Sequence, residues 1–545
     1  MTDTKPNGTF PKWGRFEQHF VSSNDYTNPV QDVSLKIRFI SPSRRESTID
    51  GFWNGKRDWL ARFCPDELGN WAYSTSCSDV DDKGLHKQVG QFICVQSSGA
   101  NRFDQHGPIR LSNDRRYLTH ADGTPFFFLG DTAWNGPLRA TQTEWSYYLR
   151  ERVRQKFTAV QWVTTQWLAS PEGDLNDHKP FDGIKRITLN PEFFQRLDSY
   201  VEAVDRAGLL NVPVMLWAAE WRSTESNPGY FLPEDQAILL GRYMVARWGA
   251  YPLIWILPGD SDYRGAKADR WKRIGQGIFG DAPHAPVSLH PGGMQWNADE
   301  FRNEQWLDIL GYQSGHGDDE KTLEWLVCGP PATDWINPPS RPFINLEPPY
   351  EDHVAYQSQT RISADFTRKA LYWSLLVSPT AGVTYGGHGI WGWDDGTAPP
   401  VAHPNTGVPK PWQEALLLDG AEQVKYLSEL FESVEWWRLR PSPELIASQP
   451  GDSTKSRFVS ASRSEKGDLA LIYIPQDREI SLNLDSLADD LSAIWFDPRN
   501  GSHQSASLNG RSKPHIFQTP APGDWILLLG RSVSLPAQTK IGTSS

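Results

Sequence analysis

Leu253-Ile-Trp-Ile-Leu-Pro-Gly-Asp260 is a run of five apolar residues closed by a proline, a glycine and a carboxylate. The run is too short for a helix and does not alternate, so it predicts a strand buried on both faces. Seven more runs share its character: Phe126-Phe-Phe-Leu, Ala159-Val-Gln-Trp-Val, Val212-Pro-Val-Met-Leu-Trp, Pro286-Val-Ser-Leu, Leu307-Asp-Ile-Leu-Gly-Tyr, Pro342-Phe-Ile-Asn-Leu and Gly382-Val-Thr-Tyr. Helical periodicity fills the intervals, at Thr143–Lys156, Glu192–Ala207, Glu234–Trp248, Lys267–Phe279, Asp319–Val327, Ile362–Leu376 and Gly420–Phe431. Only the segment after Pro291 lacks a helical period. Eight doubly buried strands alternating with helices predict a (β/α)8 TIM barrel over residues 106–437.

On either side the texture is different. Residues 1–105 carry short alternating runs such as Val33-Ser-Leu-Lys-Ile-Arg-Phe-Ile, and residues 438–535 carry Leu469-Ala-Leu-Ile-Tyr-Ile and Asp524-Trp-Ile-Leu-Leu-Leu between turns. Period-two alternation broken by turn residues predicts an antiparallel β-sandwich at each end. A polar tail, 536–545, is expected to fray.

The formal charge of −12 over 545 residues argues against nucleic acid and anionic membranes as partners, because both are recognised by clustered Lys and Arg. No apolar stretch is long enough to span a bilayer. The amino terminus lacks the basic and apolar regions of a secretory signal. It predicts a cytoplasmic protein, or a secreted one if a leader has been removed. Four cysteines without CxxC spacing predict mostly buried thiols rather than disulfides or zinc. The 25 Trp, 24 Phe and 17 Tyr supply flat apolar faces that suit sugar rings, although most such side chains belong to the core.

In a TIM barrel the site is built at the carboxyl ends of the strands. The runs end, in order, in Asp131-Thr-Ala-Trp134-Asn135, Gln166-Trp167, Glu220-Trp221, Asp260-Ser-Asp262, His290, Gln313-Ser-Gly-His316, Glu347-Pro-Pro-Tyr350-Glu351 and His388-Gly-Ile-Trp391-Gly-Trp393. Carboxylates, amides, histidines and tryptophans therefore converge on one rim. His290, His316 and His388 stand on three separate loops without HxH or HExxH spacing, so no metal is predicted. Nothing indicates a nucleotide, flavin or haem cofactor.

Glycoside hydrolysis requires two carboxyl groups flanking the scissile bond, and Asp260 and Glu347 end the fourth and seventh runs. That placement resembles the clan A barrel glycosidases, whose acid/base ends strand four and whose nucleophile ends strand seven. The resemblance implies retention, with Glu347 as nucleophile and Asp260 as general acid/base. Clan A usually has Asn-Glu at strand four, where this chain has Gly259-Asp260. Four segments resemble the apiosidase-like glycoside hydrolases, family 140 and its relatives, which use an Asp there. They are Phe127-Phe-Leu-Gly-Asp131-Thr-Ala-Trp134, Ile254-Trp-Ile-Leu-Pro-Gly-Asp260, Asn345-Leu-Glu347-Pro-Pro-Tyr350-Glu351 and Thr384-Tyr-Gly-Gly-His-Gly-Ile-Trp391. The resemblance extends to both sandwiches, the second of a kind labelled collagen-binding.

The expected substrate is a plant or microbial polysaccharide or oligosaccharide, with apiose suggested by the family. Glu220 and Asp262 are expected at the substrate and compete with Asp260 for the acid role, with a sugar-hydroxyl contact or a rim salt bridge as the alternatives for Glu220. Asp131 is expected to accept from sugar hydroxyls or to orient its neighbours, and Trp134, Trp167, Trp221, Trp391 and Trp393 to stack. Gln166, Gln313 and Tyr350 are expected to make polar contacts, with Tyr350 also able to hold the nucleophile. His290, His316 and His388 are expected to hydrogen-bond substrate or carboxylate. The competing function is a non-catalytic carbohydrate- or matrix-binding protein with a decayed barrel. The sequence does not address oligomeric state.

Overall fold

The computed structural model describes residues 8–280, 283–476, 479–508 and 514–531; the polar tail 536–545 lies outside them. Eight strands form one parallel sheet: β1 (Phe128–Thr132), β2 (Ala159–Val163), β3 (Leu210–Trp217), β4 (Trp255–Gly259), β5 (Val287–His290), β6 (Leu310–Gln313), β7 (Phe343–Glu347) and β8 (Gly382–Tyr385). Their order is β5-β4-β3-β2-β1-β8-β7-β6. A parallel bridge between Ser288 and Ile309 joins β5 to β6 and closes the barrel. With one exception, Gly311, every residue of these strands is buried, as expected of strands covered by helices outside and packed side chains inside.

One helix from each interval between and after the strands is labelled: α1 (Gln142–Arg154), α2 (Pro191–Arg206), α3 (Glu234–Trp248), α4 (Ala266–Phe279), α5 (Ala298–Phe301), α6 (Glu320–Cys328), α7 (Ala364–Leu376) and α8 (Asp419–Glu432). Local chemistry sets their starts. A capping box joins Thr141 and Glu144 at α1, and the side chains of Asn190, Asp319 and Ser363 cap α2, α6 and α7. In the fifth unit, where the sequence has no helical period, α5 is a single turn.

Before the barrel, a five-stranded sheet, antiparallel except for its edge strand Thr9–Pro11, and a three-stranded antiparallel sheet enclose a core containing Phe16, Phe39, Trp71 and Phe92. After it, a six-stranded and a two-stranded sheet enclose Leu445, Ile472, Trp495 and Leu527. Both are fastened to barrel helices by buried ion pairs. Arg62 of the first reaches Asp198 on α2 at 2.8 Å, and Arg247 on α3 holds the same carboxylate at 2.8 Å. Asp524 of the second takes both Nε and Nη2 of Arg368 on α7, at 2.7 and 2.8 Å.

The expectation of mostly buried thiols holds for Cys77 and Cys94, whereas Cys64 is only partly buried and Cys328 is exposed at the end of α6. Most tryptophans are core, and Trp221 is the one that is exposed among the described residues.

Candidate active site

Glu347 is the last residue of β7, and its carboxylate is gripped from two neighbouring strands. From β6 and its following loop, Gln313 Nε2 donates to Oε1 at 2.8 Å and His316 Nε2 lies 3.0 Å from the same oxygen. From the end of β5, His290 Nε2 sits 3.2 Å from Oε2, within ion-pair reach but outside hydrogen-bond alignment. The backbone N–H of Tyr350 donates to His316 Nδ1 at 3.2 Å, which leaves the ring proton on Nε2, aimed at Glu347. The strand beneath is also braced: Gln161 Nε2, on β2, donates to Leu346 O at 2.7 Å, and the Asn345 side chain bonds Ser314 and Ser374 at 2.9 and 3.0 Å.

Asp260 follows β4 directly. Its backbone is left-handed, with φ of 38°, and its carboxyl faces Gly292 in the loop after β5. The two carboxyls are pushed in opposite directions. Burial would raise Glu347, but the contacts with His290 and His316 and their charge outweigh it and hold the group well below the usual carboxylate range. Burial first, and then the negative charge of Glu347, push Asp260 up to about 7 despite His290. His290 is itself raised above 6.5; burial opposes this, and Glu347 and then Asp260 overcome it. At neutral pH the arrangement favours one ionised carboxylate and one carboxylic acid.

Around this pair lie the remaining rim residues. Trp134 packs edge-on against His290 at 5.3 Å and against Trp217 at 5.5 Å. Trp167 lies 4.4 Å from Trp217, and its Nε1 donates to Asn135 Oδ1 at 2.6 Å. Gln166 is buried with its amide oxygen unpartnered, as is the hydroxyl of Tyr350. Burial, and next the Glu347 charge, raise the Tyr350 pKa well above its ordinary value. Gln313 and His316 are brought to Glu347 itself rather than left facing a ligand.

Several expected contacts lie elsewhere. Asp131 is fully buried, accepting from Tyr148 Oη at 2.5 Å and Arg152 Nε at 2.6 Å, both on α1. Its neighbour Thr132 meets Gln161 inside the barrel, so strand alternation turns Asp131 outward to the helices. His388 donates to Gly407 O at 3.0 Å and accepts from Trp391 Nε1 at 3.3 Å. Burial lowers His388 to about 4, so it is a neutral tie within the loop after β8 rather than a contact to ligand or carboxylate. Trp391 is held by that tie against His403 at 4.9 Å. Trp393 stacks on Trp412 at 4.4 Å and meets Tyr148 on α1, in the helix layer. Glu220 pairs with Lys267, and Asp262 is forked by Arg264 at 2.8 Å on each oxygen. Neither carboxylate is free to act as the acid. Trp221 stands exposed beside Glu220.

Three residues to which the sequence reading gave no individual role contribute here: Trp217, Asn135 and Gln161. Trp217 closes β3 and contacts Trp134, Trp167 and His290. Asn135 ties the loops after β1, β2 and β8 together through Ala169 O, Gly392 O and Trp167. A polar Gln161 within an otherwise apolar run was the available signal for a bracing role. A cavity of about 160 Å³ lies at the opposite end of the barrel, lined by Arg102, Lys156, Phe157 and Glu432, and includes none of these residues.

A parallel (β/α)8 barrel with carboxyls after its fourth and seventh strands has the layout glycoside hydrolysis requires, and the family match makes the protein a glycoside hydrolase acting on a carbohydrate. The family model "Apiosidase-like, catalytic domain" matches residues 112–438, more than half of the chain, and the protein belongs to that family. Residues 9–78 match a domain of unknown function, DUF5060, and residues 441–530 match "Putative collagen-binding domain of a collagenase". Among solved structures, a glycoside hydrolase family 5 protein from Bacteroides vulgatus ATCC 8482 is 23% identical with a TM-score of 0.69, covering 80% of this chain and 96% of that one. Another, described as "Glycoside hydrolase", is 23% identical with a TM-score of 0.68, covering 79% and 98%. A third, a "putative glycoside hydrolase" from the same Bacteroides strain, is 18% identical with a TM-score of 0.72, covering 96% and 99%. At these identities they share the fold. No curated protein matches the chain.

Proposed function

We propose that the protein hydrolyses its substrate with retention, through a covalent glycosyl intermediate on Glu347 and with Asp260 as general acid and then base. The opposite displacement of the two carboxyls supports the division into acid and carboxylate, and their places after strands four and seven, as in the clan A enzymes the chain resembles, support retention. In the first step the Asp260 O–H gives its proton to the glycosidic oxygen while a Glu347 oxygen bonds to the anomeric carbon, and the alcohol leaves. In the second, the Asp260 carboxylate takes a proton from water as the water oxygen bonds to the anomeric carbon, and Glu347 is released as carboxylate. Esterification of Glu347 removes the charge that helped to raise Asp260, so Asp260 becomes more acidic when it must act as a base.

Trp134, Trp167 and Trp217 form the apolar wall beside the pair, with Gln166 and Tyr350 offering unpartnered polar atoms to hydroxyls. Trp221 extends the stacking surface at the rim. The family description points to an apioside as substrate, and pectic side chains are the source we propose. Screening against aryl glycosides and pectic oligosaccharides, with the first-formed anomer read by NMR, tests the mechanism. Retention is expected, and initial inversion rules the mechanism out.

A further inference from the structure

The loop after β7 folds back on itself as a tight hairpin. Val354 and Arg361 form an antiparallel bridge, and Ala355 N–H donates to Thr360 O at 2.8 Å. Tyr356 follows Ala355 at the tip and is 57% exposed. An exposed ring on a loose loop would mean little, but this hairpin is clamped to the loop after β6 at three points. Tyr356 N–H donates to His316 O at 3.1 Å, Ser358 N–H donates to Asp318 Oδ1 at 3.2 Å, and Asp318 N–H donates to Gln357 Oε1 at 3.2 Å. His316 also contacts Glu347, so the hairpin is anchored to the residue that holds the nucleophile.

The ring stands edge-on to two imidazoles, with centroids 5.6 Å from His316 and 5.9 Å from His353. Its hydroxyl is raised above the ordinary phenol value, by surrounding protein first and then by the charges of Glu347 and Asp260, while Arg222 opposes the shift. The polar end thus lies in the field of both carboxyls and of the loop after β3. That loop is itself fixed, because Arg222 Nη1 donates to Ala402 O in the loop after β8.

Exposure rises from Glu347, at 7%, through the partly exposed Asp260 to Tyr356. In the mechanism above, the sugar that bonds to Glu347 occupies the deep end, and the glycosidic oxygen lies at Asp260. What departs must extend toward the mouth. A large, rigidly presented aromatic face at that point matches the apolar C–H face of a pyranose or furanose ring. We propose that Tyr356 is the platform on which the leaving-group sugar stacks, a reading that rests on the hydrolase mechanism proposed above.

The test uses the full chain carrying Glu347→Gln, which is expected to bind without turnover, and a panel of aryl glycosides and pectic oligosaccharides titrated by calorimetry. Adding Tyr356→Ala is expected to weaken oligosaccharide binding at least tenfold. Tyr356→Phe and Tyr356→Trp should recover most of that loss, since stacking needs the ring and not the hydroxyl. Equal affinity in the alanine variant, or a phenylalanine variant as weak as alanine, overturns the platform while leaving the hydrolase reading intact. If Glu347→Gln protein binds no member of the panel and wild-type protein cleaves none, the hydrolase reading falls and this inference with it.

Discussion

Replacing Glu347 with Gln keeps the shape of the side chain and removes its charge, and the consequence should appear at Asp260. Asp260 stands at about 7 against an ordinary 3.8, a rise of about 3 units, or about 4 kcal/mol of disfavoured ionisation. Burial is the first cause and the Glu347 charge the second. Removing the charge should therefore lower Asp260 by on the order of 1–2 units, or about 1.4–2.7 kcal/mol. The group should still titrate above ordinary aspartates, because its burial is unchanged. Carboxyl-¹³C aspartate labelling, with Asp260→Asn to identify the resonance, follows this directly. In wild-type protein the same group sets the alkaline limb of kcat/KM: the acid must be protonated, so activity should fall tenfold per pH unit above about 7. An Asp260 that titrates near 4 in wild-type protein, or that does not move in Glu347→Gln, would refute the division of roles between the two carboxyls.

Asp260→Ala should slow hydrolysis by about 10²–10⁴-fold, and azide should restore turnover by forming a glycosyl azide of retained configuration; an azide adduct of inverted configuration would contradict the covalent intermediate. Gln313→Ala removes a hydrogen bond to a buried carboxylate, so urea unfolding should show a loss of about 1.5–3 kcal/mol and kcat/KM should fall as Glu347 loses a positioning contact; an unchanged kcat/KM would mean that Gln313 does not hold the nucleophile. Asp131→Ala leaves Arg152 buried without its partner and should cost about 3–5 kcal/mol in urea unfolding. KM of the protein that remains folded should be unchanged, whereas a selective rise in KM would return Asp131 to the substrate site. Excess chelator should leave turnover unaffected, and a loss restored by added zinc would point to the histidines as ligands.

The barrel was legible because its strands are buried on both faces, which writes a nearly continuous apolar signature at each one. The carboxyl-end rule then put Glu347 and Asp260 on one rim together with Glu220 and Asp262, and the family resemblance chose the pair. What the sequence could not convey was direction. Asp131 and Trp134 are three residues apart, yet the first turns out to the Arg152 guanidinium on α1 and the second lies against His290. Strand parity turns Asp131 outward, and the turn after β1 sets Trp134; neither the end of the strand nor the path of the turn is printed in the sequence. His388 and His316 look alike as histidines after a strand. Only the loop path shows that one binds Gly407 O and the other Glu347. Gln313 was visible as a polar end residue, but its role as a holder of the nucleophile required the neighbouring strand.

Two irregularities explain how the pair is aimed. The β4–β5 register shifts between Ile256 and Gly259, immediately before Asp260, and the β6–β7 register shifts between Tyr312 and Gln313, so that Gln313 comes to lie opposite Glu347. A shift of this kind re-aims the side chains that follow it, and it recurs beside active sites for that reason. At β4 the chain continues through Gly259, where an added Cβ would lie 2.5 Å from the Trp217 ring, into the left-handed backbone of Asp260. Aspartate tolerates that conformation better than most residues. A longer acid on a regular strand and a shorter acid on a shifted, left-handed one are thus two ways to place a proton donor at one point. Gly259→Ala tests whether this chain depends on the second. It adds a Cβ against Trp217 while leaving Asp260 in place, so the backbone must shift to relieve the contact. If backbone aim sets the acid, kcat should fall on substrates whose leaving group needs protonation and much less on activated aryl glycosides. An equal loss on both classes would mean that Gly259 serves packing alone.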